Sequence, residues 1–259
     1  MNLHGRNVLV RLALAVILLA AVPAWAEPCP TGPEEKFQQN YALPAGGSVS
    51  LANVNGSVRI EGWGKNFVEV QAVKRAVKDR QDLERVRIEV EALRTAVNIR
   101  TRYPENNPAG VEVDYRIRVP YRISLARVET VNGNLLVSGV EGTGELRTVN
   151  GNVDVYDSAG RFSGKTTNGD VRVELRRLAA AGAMALESIT GSVALALPQD
   201  AGAVLDVRSI NGEFRTELPL TMPSALGREF RGNLGRGGMT VRLRTVNGGI
   251  EIVTLRATI

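Results

Sequence analysis

A two-residue turn, Asn-Gly, recurs between short alternating segments at Asn55-Gly56, Asn132-Gly133, Asn150-Gly151, Asn168-Gly169, Asn211-Gly212 and Asn247-Gly248, and Thr190-Gly191 stands in the same setting. From Asn132 onward the steps are 18, 18, 22, 21 and 36 residues, and the last is twice the first. A fixed period of this size belongs to repeat architectures, in which each copy buries its apolar face only by stacking on its neighbours. It constrains shape strongly and chemistry hardly at all. The turns themselves read as structural: the glycines Gly56, Gly133, Gly151, Gly169, Gly191, Gly212 and Gly248 supply positive φ at a corner.

Aligned on the turn, the copies form columns. Two residues after each glycine stand Val58, Leu135, Val153, Val171, Val193, Phe214 and Ile250, and two further on Ile60, Val137, Val155, Val173, Leu195, Thr216 and Ile252. This is period-two alternation, one face in and one out. Two residues before the turn runs a column of Asn53, Thr130, Thr148, Thr166, Ser188, Ser209 and Thr245, placed on the inward face, where stacked hydroxyls satisfy one another. Two folds share the pattern. Asn-Gly between alternating strands is a strong hairpin signal, which gives an antiparallel meander. Alternatively the chain turns a corner at Asn-Gly, coils onward and stacks in parallel. In a stack ordered as the sequence is, Glu129–Arg147, Lys165–Glu187, Glu187–Arg208 and Asp154–Arg172 become neighbours, and only Arg147–Lys165 repels. In hairpins Arg147–Asp154 and Arg244–Glu251 attract, but Lys165–Arg172 and Arg208–Arg215 repel. Exposed pairs contribute only about 0.2–1 kcal/mol each, but with the regular step they favour an all-β parallel β-solenoid of ~18–22-residue repeats; the hairpin meander is the alternative. Residues 41–125 are less regular. Segments 67–77, 86–102 and 111–119 read as longer strands, 79–85 as one helical turn, and this part caps or wraps one end of the stack.

Residues 1–26 read as a secretory signal: Arg6 and Arg11, an apolar run over 12–22 too short to span a bilayer comfortably, and an Ala24-Trp25-Ala26 cleavage site. Residues 27–40 read as a flexible proline-rich tail, and 41–259 as a single repeat domain. No later segment is apolar enough to cross a membrane, so the chain is expected to be exported, to the periplasm, the cell surface or the medium. Cys29 is the only cysteine and sits poorly for lipid attachment, after Glu27-Pro28. The only histidine, His4, leaves with the signal, which removes Ser-His-Asp and Cys-His catalysis and ordinary zinc sites. The net charge of +5 falls to +3 (5 − 2) with Arg6 and Arg11 gone, too mild and too interspersed for nucleic-acid binding.

Three motifs imitate chemistry. Residues 159–166 (AGRFSGKT) satisfy the loose phosphate-loop pattern, but another turn and strand follow where a helix is needed. Residues 232–238 (GNLGRGG) resemble a dinucleotide loop but precede a strand. Asp154, Asp157 and Asp170 are scattered carboxylates without a calcium consensus. No cofactor or nucleotide is expected.

The run VEVDYRIRVP at 111–120, TVNGN at Thr130 and Thr148, TTNGD at Thr166 and the closing FRGNLGRGG…TVNGGIEI over 230–252 resemble the bacterial β-strand-repeat family labelled "putative adhesin". The resemblance covers nearly all of the mature chain and implies an exported, non-enzymatic envelope or surface protein. It brings no catalytic residue. The reading is a structural or adhesion-like binding module whose partner is an envelope glycan or another envelope protein. The alternatives are a polysaccharide-active β-helix enzyme and an envelope-stress accessory that binds a membrane regulator. If the outer columns bind a ligand, Arg147, Lys165 and Arg208 suit a repeating acidic polymer.

Overall fold

The computed structural model describes residues 32–104, 110–226 and 229–255. The expected signal, His4 and Cys29 lie outside the described residues. In chain order the first part forms β1 (Glu34–Ala42), β2 (Ser48–Ala52), β3 (Val58–Trp63), β4 (Phe67–Ala76), helix α1 (Arg80–Arg85), β5 (Arg87–Ala92), β6 (Ala96–Arg102) and β7 (Val111–Pro120). The middle forms β8 (Arg122–Glu129), β9 (Leu135–Ser138), β10 (Glu141–Arg147), β11 (Val153–Asn168), β12 (Val171–Leu178), β13 (Ala183–Thr190) and β14 (Val193–Leu197). The last part forms β15 (Ala203–Asn211), β16 (Phe214–Thr216), β17 (Leu220–Leu226), β18 (Glu229–Leu234), β19 (Met239–Asn247) and β20 (Ile250–Thr254).

Each copy places one strand before the turn and one after it, and like strands pair in parallel. The strands before the turn form a ladder β6–β2–β8–β10–β11–β13–β19–β15. Those after it form β7–β3–β9–β11–β12–β14–β20–β16. Long β11 belongs to both, its start in the second ladder and its end in the first. It bends at Asp157, the one non-glycine with positive φ among the described residues (φ 47°), so a single sheet folds over its own core.

The pairing is not all parallel. β5 closes one end of the first ladder antiparallel to β6; at the other end β18 lies antiparallel to β15, and β17 antiparallel to β18. β4 and then β1 add antiparallel strands beside β7. The sheet is therefore mixed, and the expectation of a purely parallel solenoid is corrected. The copies themselves pair in parallel, and among the described residues no two strands joined by Asn-Gly pair antiparallel, as a meander requires; β10–β11 and β11–β12, which Asn150-Gly151 and Asn168-Gly169 join, pair in parallel. A parallel stack ends in an unpaired sheet edge; antiparallel strands laid across the ends cover it without another full copy.

Two expectations for the N-terminal part change. Residues 34–40, expected in a flexible tail, are most of β1, held by Glu34–Arg75 and Glu35–Lys74 ion pairs of 2.7 Å each. Segment 86–102 is two strands, because β5 folds back to cover the edge of β6. The helical turn is present. Asp79 caps α1 by accepting from the Gln81 N–H, and buried Lys74 donates to the carbonyls of Leu83 and Val86 at its far end, at 3.0 and 3.1 Å. Those carbonyls are orphans of any helix end.

The core runs down the middle of the fold. Leu51, Val128, Leu146, Leu186, Leu243 and Val207 from the first ladder meet Ile60, Val137, Val155, Val173, Leu195 and Ile252 from the second, and all are buried. At one level the pattern changes. Gly144 stands in an inward position, and fully buried Phe162, its register neighbour, occupies the space: a Cβ on Gly144 would lie 2.4 Å from the Phe162 ring.

The stack does not follow sequence order at its far end. The turns neighbour one another as Asn55, Asn132, Asn150, Asn168, Thr190, Asn247 and Asn211. The last copy thus slots between the two that precede it in the chain. The expected Glu187–Arg208 neighbours are therefore apart: Glu187 stands beside Arg244, and Arg244 beside Arg208. Asp206 offsets that repulsion, 3.5 Å from Arg242 and 3.9 Å from Arg244, while Glu229 pairs with Arg208 at 3.2 Å.

Candidate functional site

The turn column is built from three ladders. The asparagine amides form the first: Asn132 donates to Asn55, Asn150 to Asn132 and Asn168 to Asn150 at 2.7–2.8 Å, and Asn211 to Asn247 at 2.9 Å. In the second, the side chain after the glycine accepts a backbone N–H from the next copy at Asn134, Asn152 and Asp170. The Asn152 N–H donates to the Asn134 side chain at 2.8 Å, the Asp170 N–H to Asn152 at 2.9 Å, and the Ser192 N–H to Asp170 at 2.8 Å.

The third ladder explains why the motif is Thr-x-Asn-Gly. The inward hydroxyls do not satisfy one another, as expected from sequence; each donates to the glycine carbonyl of the neighbouring copy. Thr148 reaches Gly133 at 2.9 Å, and Thr166, Ser188 and Thr245 reach Gly151, Gly169 and Gly191 at 2.8 Å. Thr130 reaches Gly56 and Ser209 reaches Gly248, both at 3.2 Å. Asn53, the first member of the column, instead donates to Gly56 at 3.3 Å and Val113 at 3.0 Å.

The same carbonyl dictates the glycine. A Cβ on Gly133 would lie 2.1 Å from the Gly56 oxygen, on Gly151 2.1 Å from that of Gly133, and on Gly212 1.8 Å from that of Gly248. Positive φ was the expected reason for these glycines. It holds at Gly56 (φ 118°), Gly151, Gly169, Gly191 and Gly248 but not at Gly133 or Gly212, whereas the close approach of a neighbouring backbone carbonyl is shared by the whole column. The turn residues Asn55 to Gly248 thus hold the stack together.

Of the three cations expected to share a patch, the structure brings two together. Arg147 and Lys165 are register neighbours on the outer face of the first ladder, whereas Glu187 and Arg244 separate Lys165 from Arg208. Each is already paired, Arg147 with Glu145, Lys165 with Glu187 at 3.1 Å and Arg208 with Glu229 at 3.2 Å. Beside the first two lies a shallow groove of about 480 Å³, floored by Ser124, Ala126, Thr143, Ser163, Ala183 and Ala185. Arg161 also lines it. This guanidinium lies against Gly182, where a Cβ would be 2.9 Å from it. The sequence reading missed Arg161; the small residues opposite it at 183 and 185 were its only signal.

The look-alike motifs resolve into structure. Residues 159–166 lie within β11. Residues 232–238 end β18 and cross over the start of β15: a Cβ on Gly202 would meet the Gly237 carbonyl at 2.3 Å, and Gly235 and Gly237 have φ of 56° and 75°. Their glycines serve this crossing. Asp154 and Asp170 flank Arg172, and Asp157 pairs with Arg176 at 2.8 Å. Among the described residues no three His, Cys, Asp or Glu side chains gather as metal ligands. Burial raises the Asp154 carboxyl above its usual range, opposed by Arg172. Burial likewise pushes the Tyr103 hydroxyl up to about 12, and it raises that of Tyr115, which shares a 2.7 Å hydrogen bond with Thr101. These tyrosines stay neutral at physiological pH and pack the N-terminal end.

No curated protein matches the chain. Among solved structures it is similar to a "putative cell adhesion protein" from Clostridium sporogenes, at 11% identity over 85% of this chain and 100% of that one, with a TM-score of 0.46. It is also similar to a "putative adhesin" from Bacteroides fragilis, at 10% identity over 84% and 97%, with a TM-score of 0.34. A "putative lipid binding protein" from Parabacteroides distasonis shares 9% identity over 87% and 98%, with a TM-score of 0.23. The family profile described as Toastrack DUF4097 matches residues 45–253, which include all seven turn copies. The chain belongs to the Toastrack DUF4097 family.

Proposed function

We propose that this chain is an exported, non-enzymatic binding module of the cell envelope, in which the stacked turns are the frame and the outer face of the first ladder is the working surface. The observation that carries the reading is the groove beside Arg147 and Lys165. Small side chains floor it, and Arg161 adds a guanidinium free of any carboxylate partner among the described residues. A guanidinium presents planar paired donors that match a carboxylate or sulfate. Arg147 and Lys165 stand on adjacent strands, about 4.8 Å apart. The ligand class that fits is an acidic polymer, such as an anionic envelope glycan, and Arg208 lies outside the contact.

The test is binding of polygalacturonate to the purified protein, followed by calorimetry at rising salt. Affinity should fall steeply with ionic strength, because the contact is between exposed charges. Replacing Arg147, Arg161 and Lys165 together with glutamine should abolish it, and R208Q should leave it unchanged. Binding that ignores salt, or that survives the triple replacement, rejects this surface. The export expectation is tested separately: mass spectrometry of the protein from the envelope fraction should find Glu27 at the N-terminus.

A further inference from the structure

The side chains immediately before each turn form a column that the frame does not use. In stacking order it reads Val54, Val131, Val149, Thr167, Ile189, Val246 and Ile210, and every member is β-branched. Among the described residues, Val131, Val149, Ile189 and Ile210 are exposed at 37%, 39%, 46% and 39%. They make an apolar stripe on the outer face of the first ladder. An aligned row of exposed valines and isoleucines is an interaction surface, whereas scattered ones need no explanation.

The charged column two residues earlier indicates what covers it. In stacking order it runs Ala52, Glu129, Arg147, Lys165, Glu187, Arg244, and ends at Arg208. Reversed about Lys165, this order complements itself. Arg147 comes opposite Glu187, and Glu129 opposite Arg244, each twice. Lys165 comes opposite itself and keeps its own Glu187 at 3.1 Å. A two-fold axis lying across the ladder performs this reversal. It lays one face on its copy with the columns antiparallel, so each column meets itself running the other way. The apolar column then lies on the same column of the second copy, Val149 against Ile189 and Thr167 on the axis. A surface with a fixed repeat is commensurate with a copy of itself by construction, and a two-fold interface is self-complementary by definition.

We infer that a second copy of this chain docks on this face, antiparallel, about a two-fold axis at the Thr167 level. Seven levels spaced about 4.8 Å apart, and roughly 20 Å of strand width, give ~600 Å² per copy and ~1,200 Å² in all, the lower end for a specific interface. The pairing goes beyond the binding reading. It covers Arg147 and Lys165, so an acidic polymer and a second copy compete for the face, and the test is made without polymer.

The test is sedimentation equilibrium of the purified protein at concentrations up to about 100 μM, well above the dissociation constant of a specific pair. Wild type is expected to be a dimer. R147E puts like charges together at two symmetric places and should give a monomer; R147E/E187R restores opposite charges across the axis and should return the dimer. V149D/I189D should be monomeric. Thermal melts of all variants check that they are folded, and R147E/E187R keeps the test open if the aspartate pair does not fold. A wild-type monomer overturns the inference. So does a dimer indifferent to R147E and V149D/I189D, which would place the contact elsewhere, and so does a charge swap that fails to restore pairing.

Discussion

The copies around Asn132, Asn150 and Asn168 and those around Thr190, Asn211 and Asn247 share one motif but are assembled differently. In the first group each copy follows the last after 18 residues, and order in space equals order in sequence. In the second, the Asn247 copy lies between the other two. The local geometry is nearly the same: Thr148 and Thr245 donate to neighbouring glycine carbonyls at 2.9 and 2.8 Å. The turn therefore specifies how one copy sits on another and is silent on which copy that is. In the second group the choice falls to β18, which pairs antiparallel with one edge of β15 and, through the glycine crossover at 235–238, delivers β19 to the other edge. β15 is clamped between two strands of the same continuous segment, and the order inverts.

If close approach sets the shared geometry, the glycine column is where the comparison breaks most severely. Gly133→Ala should abolish the cooperative thermal transition, because the new methyl group would sit 2.1 Å from a backbone oxygen that is itself bonded to Thr130. Gly64 is the matched control, with ordinary φ and its nearest neighbour 3.6 Å away; Gly64→Ala should change stability by no more than about 0.5 kcal/mol. Gly110 is a poor control, since its φ of 108° strains any side chain despite open space. Equal tolerance at 133 and 64 would remove close approach as the organising contact.

Hydroxyl removal comes next and compares the two groups directly. Thr166 is fully buried and donates to Gly151 at 2.8 Å, so Thr166→Val leaves that carbonyl unsatisfied by side chain and should cost about 1–3 kcal/mol by denaturant unfolding. Ser209, in the inverted group, donates at 3.2 Å, and Ser209→Ala should cost less. A larger loss at Ser209 would mean that the far end depends more on its hydroxyls than the regular part does.

Much of this was legible in the residues. Period-two alternation placed the columns from Val58 to Ile252 inside, where all but half-buried Phe214 and Thr216 are found, and the buried column from Asn53 to Thr245 was placed on the correct face. Its chemistry was misread, because the partner is a backbone carbonyl in the next copy, and no column of side chains displays backbone. Charge columns identified Lys165–Glu187 and Asp154–Arg172, found at 3.1 and 3.6 Å, but failed at Glu187–Arg208 once sequence order was assumed to be spatial order. The stretch 34–40 carries one apolar residue, Phe37, too little to show alternation in β1; the backbone ladder to β4, Phe37 against the core and the ion pairs to Arg75 and Lys74 hold it. Of the candidate site, Arg147 and Lys165 were placed together because their copies are 18 residues apart, and Arg208 was misplaced by the same assumption.

The smallest expected effect concerns Asp154. Burial raises its carboxyl, so the folded state holds this proton more tightly than the unfolded chain, and the contribution to stability falls as pH rises from about 4, the ordinary carboxylate value, through the raised one. Asp154→Asn removes that contribution. The difference in unfolding free energy, wild type minus variant, should fall with pH across that window and be flat above it; a difference that rises with pH would mean that Arg172 outweighs burial at this site.

Disulfide trapping of neighbouring copies tests most directly the claim that the turn sets stacking geometry while distant strands set stacking order. With Cys29 replaced by serine, cysteines at Glu187 and Arg244 occupy register neighbours on parallel strands, within the Cα separation of about 4.4–6.8 Å that a disulfide requires. Cysteines at Glu187 and Arg208 are two strands apart, about 9.6 Å, and out of reach. Oxidation of the folded protein should close the 187–244 pair within one chain and leave 187–208 open; closure of 187–208 instead would return the copies to sequence order and contradict the account.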